Sequence, residues 1–163
     1  MKAESFPAKA PKPFHIVLVE PEIPPNTGNI ARLCAATGTI LHLVGKLGFS
    51  LDDRQLKRAG LDYWPAVDVR QWDTLADMQQ AHPGGRYWYT SKKAQKSYIE
   101  ADFKPGDFLV FGKETMGLPE SLLAGQERWT IRIPMVEGVV RSLNLATAAG
   151  IILYEARRQV GWS

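Results

Sequence analysis

At 163 residues and 45% hydrophobic content, the chain has the material for one domain with a real core. Its single cysteine, Cys34, excludes an internal disulfide framework and favours a reducing compartment, and no stretch approaches the ~20 apolar residues of a membrane span. A formal net charge of +3 permits a nucleic-acid partner without demanding one.

In chain order, residues 1–13 carry Lys2, Lys9 and Lys12 among alanine and proline, without the apolar run of a signal peptide. They are expected to form a flexible arm, and residues 14–163 a single domain. FHIVLV (14–19) predicts a buried strand ended by Pro24, Pro25 and Asn26. Ile30, Leu33, Cys34 and Thr37 then repeat at i, i+3, i+4 and i+7, a short helix closed by Gly38. A strand over 40–44 precedes a helix over 51–59, closed by Gly60, and a third strand over 65–69. A helix over 74–81 and a Pro-Gly-Gly turn at 83–85 lead to a strand over 86–91. Strands over 108–111 and 129–133 and a helix over 142–158 complete the pattern. Alternating helices and wholly apolar strands predict a parallel six-stranded sheet covered on both faces, an α/β fold.

Three polar segments each begin where a strand stops: NTGNIAR (26–32), FGKETMGL (111–118), and IRIP (131–134) leading into VRSLN (140–144). Ligands of open α/β sheets bind outside the carboxyl ends of the strands, so the three are expected to build one site. Familiar alternatives fail. GKET (112–115) has Glu114 where a P-loop needs Ser or Thr, and Asp107 where its first glycine belongs. There is no G-x-G-x-x-G and no G-x-S-x-G, and His15, His42 and His82 lack metal-ligand spacing.

The residue types leave two readings open at most positions. Arg32 is either an ion-paired surface arginine or a planar donor for a phosphate or ribose hydroxyl. Asn26 and Ser142 are candidate helix caps, and Gly28, Gly112 and Gly117 suit tight turns or close approach of a ligand. Cys34 reads as a small core residue. Two clusters are either solvated surface or RNA contacts: Arg86, Trp88, Lys92, Lys93, Lys96 and Tyr98 with their neighbouring tyrosines, and Arg54, Lys57 and Arg58 on one helix face. The last helix presents a second, mixed stripe that includes Asn144, Thr147, Ile151, Tyr154 and Arg158, which suits a second subunit.

Taken together, EPEIPPNTGN (20–29), RAGLDY (58–63), FGKE (111–114), GLP (117–119), RIPM (132–135), RSLN (141–144) and YEA (154–156) resemble the SPOUT class of RNA methyltransferases. Within it, the chain is most similar to the TrmL family of tRNA wobble-position ribose 2′-O-methyltransferases. The resemblance implies S-adenosylmethionine as methyl donor and a carboxyl-terminal trefoil knot. It also implies a cytoplasmic homodimer whose interface helps build the site, and the tRNA anticodon stem-loop as substrate, with neither metal nor membrane. Carried over by position, Arg32 and Asn144 are catalytic. Tyr89, Gly112, Ile133, Ser142 and Leu143 bind the cofactor, and Lys92 (or Lys93) and Tyr154 handle substrate. A ribosomal RNA ribose methyltransferase and a non-catalytic RNA-binding dimer are the competing expectations.

Overall fold

The computed structural model describes residues 12–161, so all of the expected arm but Lys12 and Pro13 lies outside the described residues. The strands are β1 (His15–Val19), β2 (Ile40–Val44), β3 (Val69–Trp72), β4 (Tyr87–Thr90), β5 (Lys96–Ser97), β6 (Phe108–Phe111) and β7 (Thr130–Arg132). They form one sheet in the order β3-β2-β1-β6-β4-β7-β5, and every pairing is parallel. The helices are α1 (Pro24–Thr37), α2 (Arg54–Gly60), α3 (Leu75–Ala81), α4 (Glu120–Leu123) and α5 (Leu145–Gln159).

Strand alternation divides the core in two. Ile16, Leu18, Leu41, Leu43, Leu109, Phe111 and Ile131 face α1 and α5, meeting Ile30, Ala31 and Cys34 of the first and Ala149, Ile152 and Leu153 of the second. Val17, Val44, Phe108, Val110 and Tyr89 face Met78 of α3, with Leu122 and Leu123 of α4 alongside. Because strands β1, β2 and β6 are covered on both faces, they read as mainly apolar runs, interrupted only by His15 and His42.

Several elements differ from expectation, each for a local reason. The sheet has seven strands, not six, because β5 is only two residues long and has no periodicity to read. Helix α1 starts at Pro24 rather than after Asn26: the fixed φ of proline suits a first helical turn, where its missing N–H costs nothing. Strand β3 begins at Val69, because residues 61–66 form a 3₁₀ turn containing Pro65. Gly60 is the last residue of α2 rather than its stop. Helix α5 is capped by Asn144, whose Oδ1 accepts from Thr147 N–H at 3.1 Å, so Ser142 is not the cap.

The order of the sheet fixes where a site can form. From β1 the chain moves outward through β2 and β3, then crosses to the other side for β4 and β5. Strands β6 and β7 are inserted afterwards, between β1 and β4 and between β4 and β5. The reversal falls at the β1/β6 boundary, the switch point at which parallel sheets open a crevice.

Candidate active site

At that boundary lies a cleft of about 940 Å³, lined from the carboxyl ends of four strands. Glu20 follows β1, Gly112–Leu118 follow β6, Ser91–Lys93 follow β4, and Ile133 and Met135 follow β7. The segment 141–145 and Ala148 and Ile152 of α5 close the remaining side. Five basic side chains (Lys92, Lys93, Lys113, Arg132, Arg141) face three carboxylates (Glu20, Glu114, Glu120). Glu20 has a φ of +49°, the one non-glycine residue with positive φ among the described residues, and its carboxylate lies 3.5 Å from Lys113 Nζ. A left-handed residue of this type is held only where its surroundings over-determine it.

A chain of hydrogen bonds joins the three polar segments. The Glu114 carboxylate accepts from the main-chain N–H of Glu22 (2.8 Å) and Ile23 (3.1 Å), and from Asn26 Nδ2 (3.3 Å). Asn26 Oδ1 accepts from Asn144 Nδ2 at 2.9 Å. Glu114 thus places negative charge at the start of α1, which favours that charge and which no side chain of its own caps. Glu22 answers across the same gap, accepting from Thr115 Oγ1 (2.7 Å) and N–H (3.1 Å), and the Thr115 hydroxyl holds its carboxyl below the ordinary value. Glu114 therefore orients both the loop after β6 and the entry to α1. Asn26 caps nothing; 5% exposed, it bridges Glu114 to the cap of α5.

The glycines act through packing. A Cβ on Gly112 would lie 2.3 Å from both the Gly117 carbonyl carbon and the Leu118 nitrogen, so the loop folds back onto Gly112 itself. Gly117 takes a left-handed φ of +68° to close that fold. Gly28 lies within α1, with no turn to serve. Its Cβ would stand 2.4 Å from that of Ala59, so the glycine lets α1 and α2 touch.

The expected site residues divide into two groups. Gly112, Ile133, Ser142, Leu143, Asn144 and Lys92 all line the cleft, with Lys92 Nζ donating to the Arg141 carbonyl at 3.3 Å. Lys93 also lines it and pairs with Glu120 at 3.0 Å. Tyr89, Arg32 and Tyr154 do not. The Tyr89 side chain lies on the α3 face of the sheet, 4% exposed, its hydroxyl accepting from Gln79 Nε2 at 3.2 Å. Arg32 lies six residues beyond Asn26, about 9 Å along the axis, exposed and over the Tyr63 ring at 5.2 Å. Tyr154 is exposed beneath the Arg157 guanidinium at 4.9 Å. Sequence reasoning passed over Thr90 and Ser91 as lining residues, whereas Lys113 and Arg141 line the cleft from within the expected segments. Alternation along β4 was the available signal: if Tyr89 faces one way, Thr90 faces the other.

The basic and aromatic cluster of 86–98 also splits. Trp88 faces α5, Tyr87 and Tyr89 the opposite side. Arg86 donates to Asp107 (2.8 Å) and lies over Trp129 at 5.1 Å, while Lys96 lies over Trp88 at 5.7 Å. These cations are already engaged. Among the described residues no group of three or more His, Cys, Asp or Glu is disposed to hold a metal, and no helix is long and apolar enough to cross a membrane.

Residues 13–154 match the model of the SpoU rRNA Methylase family. A tRNA (cytidine(34)-2'-O)-methyltransferase from Saccharophagus degradans is 49% identical over 157 residues, 92% of this chain and 97% of the relative. A solved structure described as giving structural insights into the 2-OH methylation of C/U34 on tRNA superposes with a TM-score of 0.85. It is 52% identical, covering 92% of this chain and 97% of that one. An AdoMet-bound rRNA methyltransferase from Sinorhizobium meliloti superposes with a TM-score of 0.80 at 30% identity, over 91% of this chain and 57% of that longer one.

Proposed function

The chain belongs to the SpoU methylase family, and from that premise we propose that it methylates the ribose 2′-oxygen of the wobble nucleotide of tRNA, a cytidine or modified uridine at position 34. The observation that carries this reading is the Glu114–Asn26–Asn144 chain, which ties the three polar segments to one cleft. Resemblance to an rRNA methyltransferase is weaker in identity and spans just over half of that protein, so the small tRNA enzymes are the better match.

The methyl donor is S-adenosylmethionine, and the cleft suits it. Its size falls within the ~300–1,000 Å³ of small-molecule pockets. Ile133, Leu143, Leu145, Ala148 and Ile152 offer apolar walls for a purine, and Thr90, Ser91 and Ser142 offer hydroxyls. When bound, the cofactor supplies an electrophilic methyl group on a positively charged sulfur. Gly112, Ile133, Ser142 and Leu143 hold it, with Tyr89 supporting the wall formed by Thr90 and Ser91. Asn144, fixed by Asn26, is poised to orient the ribose. Lys92 neutralises RNA phosphate at the cleft mouth, and Tyr154 packs against the substrate.

A guanidinium offers N–H donors and no acceptor, so Arg32 acts as a hydrogen-bond donor rather than as a base. Its role is to donate hydrogen bonds to the 2′-oxygen as negative charge develops there. From its place on α1 it serves the cleft of a second copy, and the functional unit is a homodimer. Exposed Ile23, Val139 and Val140 beside the cleft are suited to that contact. The late insertion of β6 and β7 supports the expected trefoil knot, and the lone buried thiol supports a cytoplasmic setting.

The test is nucleoside mass spectrometry of tRNA and of ribosomal RNA, each incubated with the protein and labelled cofactor. The expected product carries one 2′-O-methyl group at the first anticodon position. Label in ribosomal RNA alone would favour the rRNA reading, and binding without label in either would favour a non-catalytic dimer.

A further inference from the structure

Many cations of the described chain have a carboxylate to answer them: Arg70 with Asp68, Arg86 with Asp107, Lys93 with Glu120, Lys104 with Asp102, Lys113 with Glu20 and Arg158 with Glu155. Lys92 and Lys96 donate to main-chain carbonyls instead. Helix α2 gathers three cations that are not answered in this way on one short stretch. Arg54, Lys57 and Arg58 are exposed, and no side-chain hydrogen bond or ion pair engages them among the described residues. The neighbouring carboxylate is turned inward. Asp53 Oδ1 accepts from the main-chain N–H of Gln55 (2.7 Å) and Leu56 (3.4 Å), starting the helix.

Helical geometry makes the three cations one surface. At i, i+3 and i+4 they fall within an arc of about 100°. Leu56, 3% exposed, lies opposite, and Ala59 meets α1 at Gly28. The cations therefore face directly away from the protein. The Gly28–Ala59 contact packs α2 against the first turns of α1, the helix whose Asn26 lines the cleft. Arg32, stacked on Tyr63, extends the positive surface along α1.

We infer that the outer face of α2, formed by Arg54, Lys57 and Arg58, is an RNA-docking surface that grips the sugar-phosphate backbone away from the reacting nucleotide. The occupant is a polyanion because three unanswered cations on one helix face repel one another until an anion meets them. It is RNA because α2 packs on α1, whose Asn26 lines the cleft that, on the function proposed above, receives a ribose from an RNA strand. Such contacts hold any sequence and confer none.

The test uses the full chain with Arg54, Lys57 and Arg58 all changed to Gln, and the single variants R54Q and K57Q in case the triple variant folds poorly. Binding to tRNA and to an unrelated RNA duplex is measured from 50 to 300 mM salt, alongside labelled-cofactor binding and methyl transfer. The triple variant is expected to bind both RNAs roughly tenfold more weakly at low salt. Its salt slope should be shallower by about one for each phosphate it no longer neutralises, with cofactor affinity unchanged. Each single variant should show about a third of the change. Lys104→Gln, which removes a cation already paired, should leave the slope unaltered. An unchanged affinity and slope in the α2 variants overturns the docking surface even if the wild type methylates tRNA. A wild type that methylates no tRNA but loses its salt slope in the variants would overturn the function and leave the surface standing.

Discussion

Glu114 shows how much one side chain can coordinate. Its two oxygens take two main-chain donors and the Asn26 amide, all at the entry to α1, and Asn26 relays that hold to Asn144. Glu114→Gln keeps the shape but sets an N–H₂ group against an N–H. It is expected to cost about 1–3 kcal/mol, read as a lower denaturation midpoint at constant m, and to lower methyl transfer further by freeing Asn144. Wild-type activity in this variant would remove the network from the mechanism. His15 and His42, which lack metal-ligand spacing, form a second relay on the opposite face. Trp72 Nε1 donates to His42 Nδ1 at 2.9 Å, so that nitrogen carries no proton. His42 Nε2 therefore donates to His15 Nδ1 at 2.8 Å, and both rings are neutral. Burial, with Arg70 and His82 nearby and only Asp68 opposing, pushes His15 down to about 4 and His42 down to about 3. Depressed values mean that the stability from neutral histidine is fully present above the unfolded pKa of ~6.5 and is lost as pH falls below it. Urea unfolding should show stability dropping below pH 6.5 by up to ~1.4 kcal/mol per pH unit for each histidine. Trp72→Phe keeps the ring and removes the donor, so its acid slope should be shallower; identical slopes would refute this proton arrangement.

Helices and strands were legible in proportion to their length and burial. FLVF at β6 and ILHLV at β2 have the bounds their apolar runs predict. Boundaries went astray where proline or a cap decides them: Pro24 and Pro25 open α1, and Asn144 caps α5 two residues beyond Ser142. The two-residue β5 exists only because β7 lies beside it, a long-range fact no local pattern encodes. The convergence of the polar segments followed from strand direction alone, whereas the displacement of Tyr89 turned on a one-residue alternation. Gly28 was misread for a related reason, since its need arises from Ala59, thirty-one positions away. Gly28→Ala should push α1 from α2, costing about 1–3 kcal/mol and disturbing Asn26. Gly112→Ala, which drives a methyl into the Gly117–Leu118 backbone, should abolish cofactor binding in calorimetry while leaving far-UV dichroism nearly intact. Normal cofactor affinity in Gly112→Ala would separate the loop from the cofactor.

At the scale of the whole molecule, one chain brings its three polar segments together yet leaves Arg32 outside the cleft they form. A residue that must meet the ribose oxygen cannot act from there on its own cleft without a large movement of α1, and that helix is held at its start by Glu114 and along its length by α2. The homodimer proposed above would resolve the conflict, because an axis that brings Arg32 of one protomer to the partner's cleft does the same in reverse. Arg32→Ala and Asn144→Ala are each expected to be nearly inactive. When the two variants are co-expressed, half of the dimers are mixed, and each mixed dimer contains one intact site made of Asn144 from one chain and Arg32 from the other. Activity should therefore recover to about a quarter of wild type by the statistics of a two-fold assembly. If Arg32 instead serves its own cleft, no mixed dimer has a complete site and co-expression restores nothing. Sedimentation of the mixture, run in parallel, distinguishes that outcome from a chain that never dimerises.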